Sequence, residues 1–93
     1  MSLGIIEARS LAVLCDAIDS AWKLADIKFL GMGALGDGHY AAAIRGGVGE
    51  VERALAVMGS ASANGEILVA RAIVNPHDGL EKAVLELLKG EMT

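Results

Sequence analysis

Apolar residues fall along this chain in four short extended runs and three helical stripes. Leu3 to Ala8 (LGIIEA) reads as a strand. Ser10 then stands where a helix needs its N-cap, and Leu11, Leu14, Cys15, Ile18, Trp22 and Ala25 recur at helical spacing. Asp16, Asp19, Ser20, Lys23 and Asp26 line the opposite face, with Asp19 and Lys23 four apart in the favourable acid-first order. The simplest reading of that face is a solvated one.

Ile27 to Leu35 (IKFLGMGAL) and His39 to Arg45 (HYAAAIR) are two extended segments around Gly36-Asp37-Gly38. The glycines permit positive φ and the Asp can hydrogen-bond back onto the chain, so the pattern predicts a hairpin. After Gly46-Gly47, the spacing of Val48, Val51, Leu55 and Met58 against Glu50 and Arg53 predicts a second amphipathic helix, loosening over residues 59–65. Glu66 to Val74 (EILVARAIV) is apolar on both faces apart from Arg71, the pattern of a central strand covered on both sides, and Pro76 stops it. Asp78 with Glu81 resembles a capping pair for a last helix, whose stripe is Leu80, Ala83, Val84, Leu87 and Leu88 and which ends at Gly90.

Strand, helix, strand, strand, helix, strand, helix is an order that suits one antiparallel-containing sheet with helices packed on a face. The expected class is therefore α/β in the broad sense, an α+β, ferredoxin-like two-layer arrangement. No spacer is long enough to be a linker, so residues 1–93 read as a single domain.

Composition adds an expectation of assembly. Hydrophobic residues make up 54% of the 93, mostly Ala, Val, Ile and Leu, with Trp22, Phe29 and Tyr40 the only aromatics. A chain this short cannot internalise so much apolar surface, and the surplus points to contacts with other chains. The net charge of −4 comes from interspersed acids and bases, which argues against nucleic-acid partners. No apolar stretch approaches the ~20 residues that span a bilayer, and the first ten residues lack the basic head and apolar core of a signal peptide, so a cytosolic protein with no membrane partner is expected. Cys15, the single cysteine, falls in line with Leu11, Leu14 and Ile18 and reads as a small buried hydrophobe.

Gly31, Gly33 and Gly36 spell the G-x-G-x-x-G of a dinucleotide loop. That fingerprint works only where a helix N-terminus follows its glycines, because the helix dipole and free amides hold the phosphate. Here a strand follows, and although Glu50 and Glu52 fall near the distance of a ribose-binding acid, no second nucleotide-binding half fits. The spacing is read instead as a strand whose glycines let backbones approach closely. His39 and His77 lie in no metal-ligand spacing, so no metal and no cofactor are expected. Asp37 beside His39 is the one candidate acid/base pair, but no nucleophile or oxyanion-hole motif accompanies it; a polar turn is the simpler reading, and no enzyme is expected.

Five segments, in order, resemble the single-domain, hexamer-forming shell proteins of bacterial microcompartments, the BMC domain family. These are LGIIEARSL, DSAWKLADIKFLG, LGDGHY, IRGGVGEVERAL and GEILVARAIVNPHDGLEKAV, which together cover nearly the whole chain. The resemblance implies a permuted ferredoxin-like subunit, with a four-stranded antiparallel sheet, helices on one face and a C-terminal helix. It implies homohexamers that tile edge to edge with other shell proteins of the same microcompartment, around encapsulated enzymes in the cytoplasm, as a selective barrier to small metabolites. Lys23 matches the family's edge lysine and Asp19 the acid that orients it; Asn75 and His77 match the edge segment around the Pro-His. Gly36, Asp37 and Gly38 match the loop lining the sixfold pore, with His39 at its mouth.

Two departures from the family pattern matter. Asn75 stands where many relatives carry Arg, removing a guanidinium able to bond across the hexamer edge. Asp37 stands where Ser is frequent, so a sixfold ring would gather six carboxylates near one axis. Like charges that close favour a bound cation or shared protons, unless Asp37 folds back onto backbone amides. The expectation is a pore that disfavours anions and passes small neutral or cationic metabolites. The competing class is an oligomeric ferredoxin-like regulatory domain that binds a small metabolite between chains.

Overall fold

The computed structural model describes residues 1–60 and 65–92. Along the chain run β1 (Ser2–Ala8), α1 (Leu11–Leu24), β2 (Ile27–Gly36), β3 (His39–Gly46), α2 (Val48–Ser60), β4 (Ile67–Val74) and α3 (Leu80–Met92), the predicted order. The strands form one antiparallel sheet ordered β2-β3-β1-β4. α1 and α2 cover one face, where Ile6, Ala8, Ile27, Ala42 and Ile44 meet Leu14, Ile18, Val51, Leu55 and Met58 in the main core. α3 lies on the opposite face, where Leu88 and Val84 meet Ala41, Ala43, Ile5, Leu30 and Leu35.

Period-2 alternation along β3 explains this division, since Ala42 and Ile44 point to one helical layer and Ala41 and Ala43 to the other. The register extends it across the sheet: Met32, Ala42, Ile6 and Ala70 form one transverse row, and Phe29, Ile44, Gly4 and Ala72 the next. At Gly33 a Cβ would collide with the Leu88 carbonyl, and at Gly31 it would sit 3.4 Å from Leu85. Of the three glycines of the nucleotide-like run, Gly33 and Gly31 lie where α3 comes down onto β2, in keeping with the close-approach reading, whereas Gly36 has open space beside it and a φ of 89°, so it serves the turn and not a close approach.

Several local expectations are corrected. The buried face of α1 is Leu14, Ala17, Ile18 and Ala21, while Cys15 is exposed and Leu11 and Trp22 are about half exposed. Alanines at the contact let α1 lie close to its neighbours, which rotates the larger side chains onto the flank. There Trp22 meets Phe29 with ring centroids 5.7 Å apart. β4 is an edge strand, not a central one, and Leu68, Val69 and Val74 are exposed; a pattern apolar on both faces does not say which chain supplies the cover. Val48 and Leu87 are likewise exposed.

Ser10 caps α1 as predicted, its Oγ accepting from the Val13 N–H at 3.3 Å. Asp78 and Glu81 do not form a capping box: the Gly79 N–H donates to His77 Nδ1 at 3.1 Å, and Glu81 pairs with Arg45. α3 continues past Gly90 to Met92. α2 runs through Ser60, and most of the segment expected to loosen, 61–64, lies outside the described residues.

Candidate functional site

The β2–β3 hairpin and the opposite end of the sheet hold all the candidate residues between them. Gly36 pairs with His39, leaving Asp37 and Gly38 as a two-residue turn with φ of 54° and 77°. Both values lie in the left-handed region, which gives the type I′ geometry that matches strand twist and makes glycine the residue of choice at 38. Asp37 is exposed, and its carboxylate makes no hydrogen bond or ion pair among the described residues, so it does not fold back onto the backbone. His39 is half-buried and has no bond to Asp37, so the acid/base pair weighed from sequence is not assembled.

The other end gathers the starts of β1 and β2 and the ends of β3 and β4, in the row Ile27, Gly46, Ser2, Val74. The ten residues of β2, at about 3.3 Å each, put it roughly 30 Å from the hairpin. Lys23, in the last turn of α1, approaches Asp19 at 2.7 Å on an exposed surface. The hydrogen bond that Lys23 donates to the Asp19 carboxylate, and then the negative charge of that carboxylate, hold the Lys23 ammonium above the ordinary lysine value of 10.5.

Asn75 follows β4 with φ of 49°, a left-handed conformation that Asn tolerates better than most residues, and its N–H donates to the Met1 carbonyl at 2.9 Å. His77 accepts the Gly79 N–H on Nδ1, so the proton of its neutral form sits on Nε2. Its carbonyl accepts from the Leu80 N–H at 2.9 Å. Beside it Arg45 Nη1 donates to both carboxylate oxygens of Glu81 at 3.2 Å, fastening α3 to the sheet. A groove of about 540 Å³ lies among Met1, Arg45, Asn75, His77, Asp78 and Glu81.

Lys23 with Asp19, and Asn75 with His77, thus share one end of the subunit, without a bond between the two pairs. Sequence reasoning missed the pairing of Arg45 with Glu81, 36 residues apart, for which no local pattern gives a signal. Glu50, which falls near the distance of a ribose-binding acid, instead accepts the Asp26 N–H at 2.9 Å and pairs with Arg53 at 3.4 Å, a structural brace between α2 and the start of β2. Among the described residues no cluster of three His, Cys, Asp or Glu is placed to hold a metal, and no helix is long and apolar enough to cross a membrane.

Comparison with known proteins gives three results. The BMC domain family matches residues 2–77. Curated relatives include the bacterial microcompartment shell protein EutM of Escherichia coli K12, 36% identical over 92 residues, 97% of this chain and 94% of EutM. The carboxysome shell protein CcmK2 of Synechocystis sp. is 33% identical over 85 residues, 87% of this chain and 82% of its own length. The microcompartment shell protein PduA of Citrobacter freundii is 32% identical over 82 residues, 87% and 88% of the two chains. Among solved structures, a microcompartment protein from Desulfitobacterium hafniense DCB superposes with a TM-score of 0.81 at 25% identity; the match covers 91% of this chain and 47% of that one, which is about twice as long.

Proposed function

The chain belongs to the BMC domain family, and from that premise we propose that it is a structural shell protein, not an enzyme, of a bacterial microcompartment in the cytoplasm. In this reading six copies form a flat ring, and rings tile with one another and with other shell proteins into a facet around encapsulated enzymes.

The observation that carries the finer reading is the separation of the two residue groups. The hairpin 36–38 and the group Asp19, Lys23, Asn75 and His77 sit at opposite ends of strands that cross the subunit, whose extents are 30 × 29 × 17 Å. A ring with radial strands then brings six hairpins to the axis and six Lys23–Asp19 pairs to the rim. At the axis, six Asp37 carboxylates with no internal partner repel anions and leave the path open to neutral or cationic metabolites. At the rim, Lys23 presents its ammonium to the neighbouring hexamer. Asn75 offers that boundary only a short amide, so Lys23 carries most of the edge contact in this chain.

The test is the mass of the purified protein in solution together with negative-stain microscopy. Six-chain particles and flat sheets or tubes support the reading; a stable dimer or trimer whose melting temperature rises with a small metabolite replaces it with the regulatory one.

A further inference from the structure

We propose that the two flat faces of the ring are electrostatic complements, and that the α3 face of one ring stacks on the α1/α2 face of a second copy of the ring. This inference rests on the hexameric reading above. On β2, Lys28 shares a register position with Arg45, the partner of Glu81, and so lies on the α3 side of the sheet. Arg71 shares one with Ile5 and Ala43, which pack with α3. Lys82 and Lys89 stand seven apart on α3 itself. All four are exposed and none has an ion-pair partner among the described residues. Against them on that side stand the exposed Glu86 and the half-buried Glu7.

The opposite face has the reverse balance. Its two bases are already paired, Lys23 with Asp19 at 2.7 Å and Arg53 with Glu50 at 3.4 Å. Asp16 on α1, Asp26 after it and Glu52 on α2 are exposed and have no ion-pair partner among the described residues. Charges left unpaired within the subunit are therefore mainly positive on one face and negative on the other.

Coaxial rings meet at matching radius, whatever the rotation between them. With the hairpin at the axis, Lys28 and Arg45 lie toward the rim, and Lys82, in the first turn of α3 next to the Arg45–Glu81 pair, lies there too. On the other face Asp26, just before β2, and Glu52, near the start of α2, also lie toward the rim. Nearer the axis Leu87, 60% exposed, comes level with the end of α2, where Ala56 and Gly59 are small and exposed. Stacking of like faces sets bases against bases or acids against acids, so complementarity selects the head-to-tail stack. Single exposed pairs are weak, but each ring presents six sets at once.

Charge reversal supplies the test, made in Lys23→Ala hexamers so that lateral sheets do not obscure stacking. In analytical ultracentrifugation they should sediment as multiples of six chains in about 20 mM salt and as single hexamers in about 0.5 M salt. Lys82→Glu with Lys89→Glu should leave single hexamers in low salt, and so should Asp16→Lys with Glu52→Lys. All four changes together exchange the signs of the two faces and should restore the stacks. Stacks that survive either pair of reversals, or that the four changes fail to restore, overturn the proposal. Hexamers that stay single at low salt also overturn it while leaving the hexameric reading intact; if they bind poly-L-glutamate, the α3 face takes an acidic protein segment instead. Protein with no six-chain particles at either salt concentration overturns both. If sheets persist in Lys23→Ala, their thickness viewed edge-on by negative stain gives the same readout, and a single layer at low salt overturns the proposal. If Lys82→Glu with Lys89→Glu does not fold, as judged by circular dichroism, Lys82→Gln with Lys89→Gln makes the same measurement by loss of charge.

Discussion

The two ends of the sheet are held by different means. At the hairpin end the backbone does everything: three successive residues, Gly36, Asp37 and Gly38, have φ of 89°, 54° and 77°, and the Asp37 side chain bonds to nothing among the described residues. At the far end, side chains and backbone are cross-braced. Glu50 holds the Asp26 amide, His77 holds Gly79, Asn75 is tied to Met1, and Arg45 grips Glu81. The Asp37 side chain can therefore be exchanged with little effect on the fold, whereas at the far end the side chains of Glu50, Arg45 and Glu81 are part of the fold.

The largest effect comes from removing the element that runs between the ends. α3 starts beside Arg45 and passes over Gly33, where no Cβ fits. Gly33→Val forces the helix off β2, with an expected loss of about 1–3 kcal/mol in urea denaturation, as for other overpacked contacts. An unchanged midpoint means that α3 is not seated there. Gly38→Ala places a side chain at φ of 77°, at an expected cost of about 1–2 kcal/mol. A smaller cost means the hairpin is less rigidly fixed by its backbone than the comparison holds. Arg45→Met and Glu81→Gln come next. The pair is roughly 30% exposed on each side, so a double-mutant cycle should give a coupling of about 0.5–1 kcal/mol, reduced in 1 M salt. No coupling makes the far-end brace ornamental.

Legibility in the sequence divides along the same line. The hairpin was readable because its signal is local: Gly-Asp-Gly between two extended runs has one low-energy solution. The order of elements and the Ser10 cap were readable for the same reason. At the far end the Asp19–Lys23 pair was readable from its spacing of four, whereas the ties between Arg45 and Glu81 and between Glu50 and Asp26 join residues distant in the chain and leave no local signal. Asp78 and Glu81 had the spacing of a capping pair, but the stronger partner for Glu81 was a guanidinium across the fold.

Cys15 and β4 mislead for a different reason. Hydrophobic periodicity records that a surface is apolar, not whether its own chain covers it. Leu11, Cys15 and Trp22 keep helical spacing yet lie on the flank, and β4 is apolar on both faces yet sits at the edge. In a protein of 93 residues these are the positions where the surplus of apolar surface is left exposed.

Two substitutions should leave the fold alone and separate the functions of the ends. Asp37→Asn keeps a residue that tolerates φ of 54° and removes the charge. Hexamers and melting temperature should be unchanged while an anionic solute crosses the assembled layer faster; an unchanged anion flux removes Asp37 from any role in selectivity.

Lys23→Ala should be the quietest in the single subunit, because the Lys23–Asp19 pair is 72% and 61% exposed and solvent screens it. Its effect belongs to the assembly: sheets disappear and hexamers persist, and loss of the hexamers themselves would move Lys23 from the rim into the ring. The pH dependence of the wild type gives the same separation without a mutation. Asp19 raises the Lys23 pKa above 10.5, so the ammonium is fully present below that value and is lost only as pH rises through the raised one. Sheets that rest on Lys23 should therefore persist through neutral and mildly alkaline solution and disperse above pH 10.5. Sheets that disperse near neutrality instead would show that the boundary does not rest on the Lys23 ammonium.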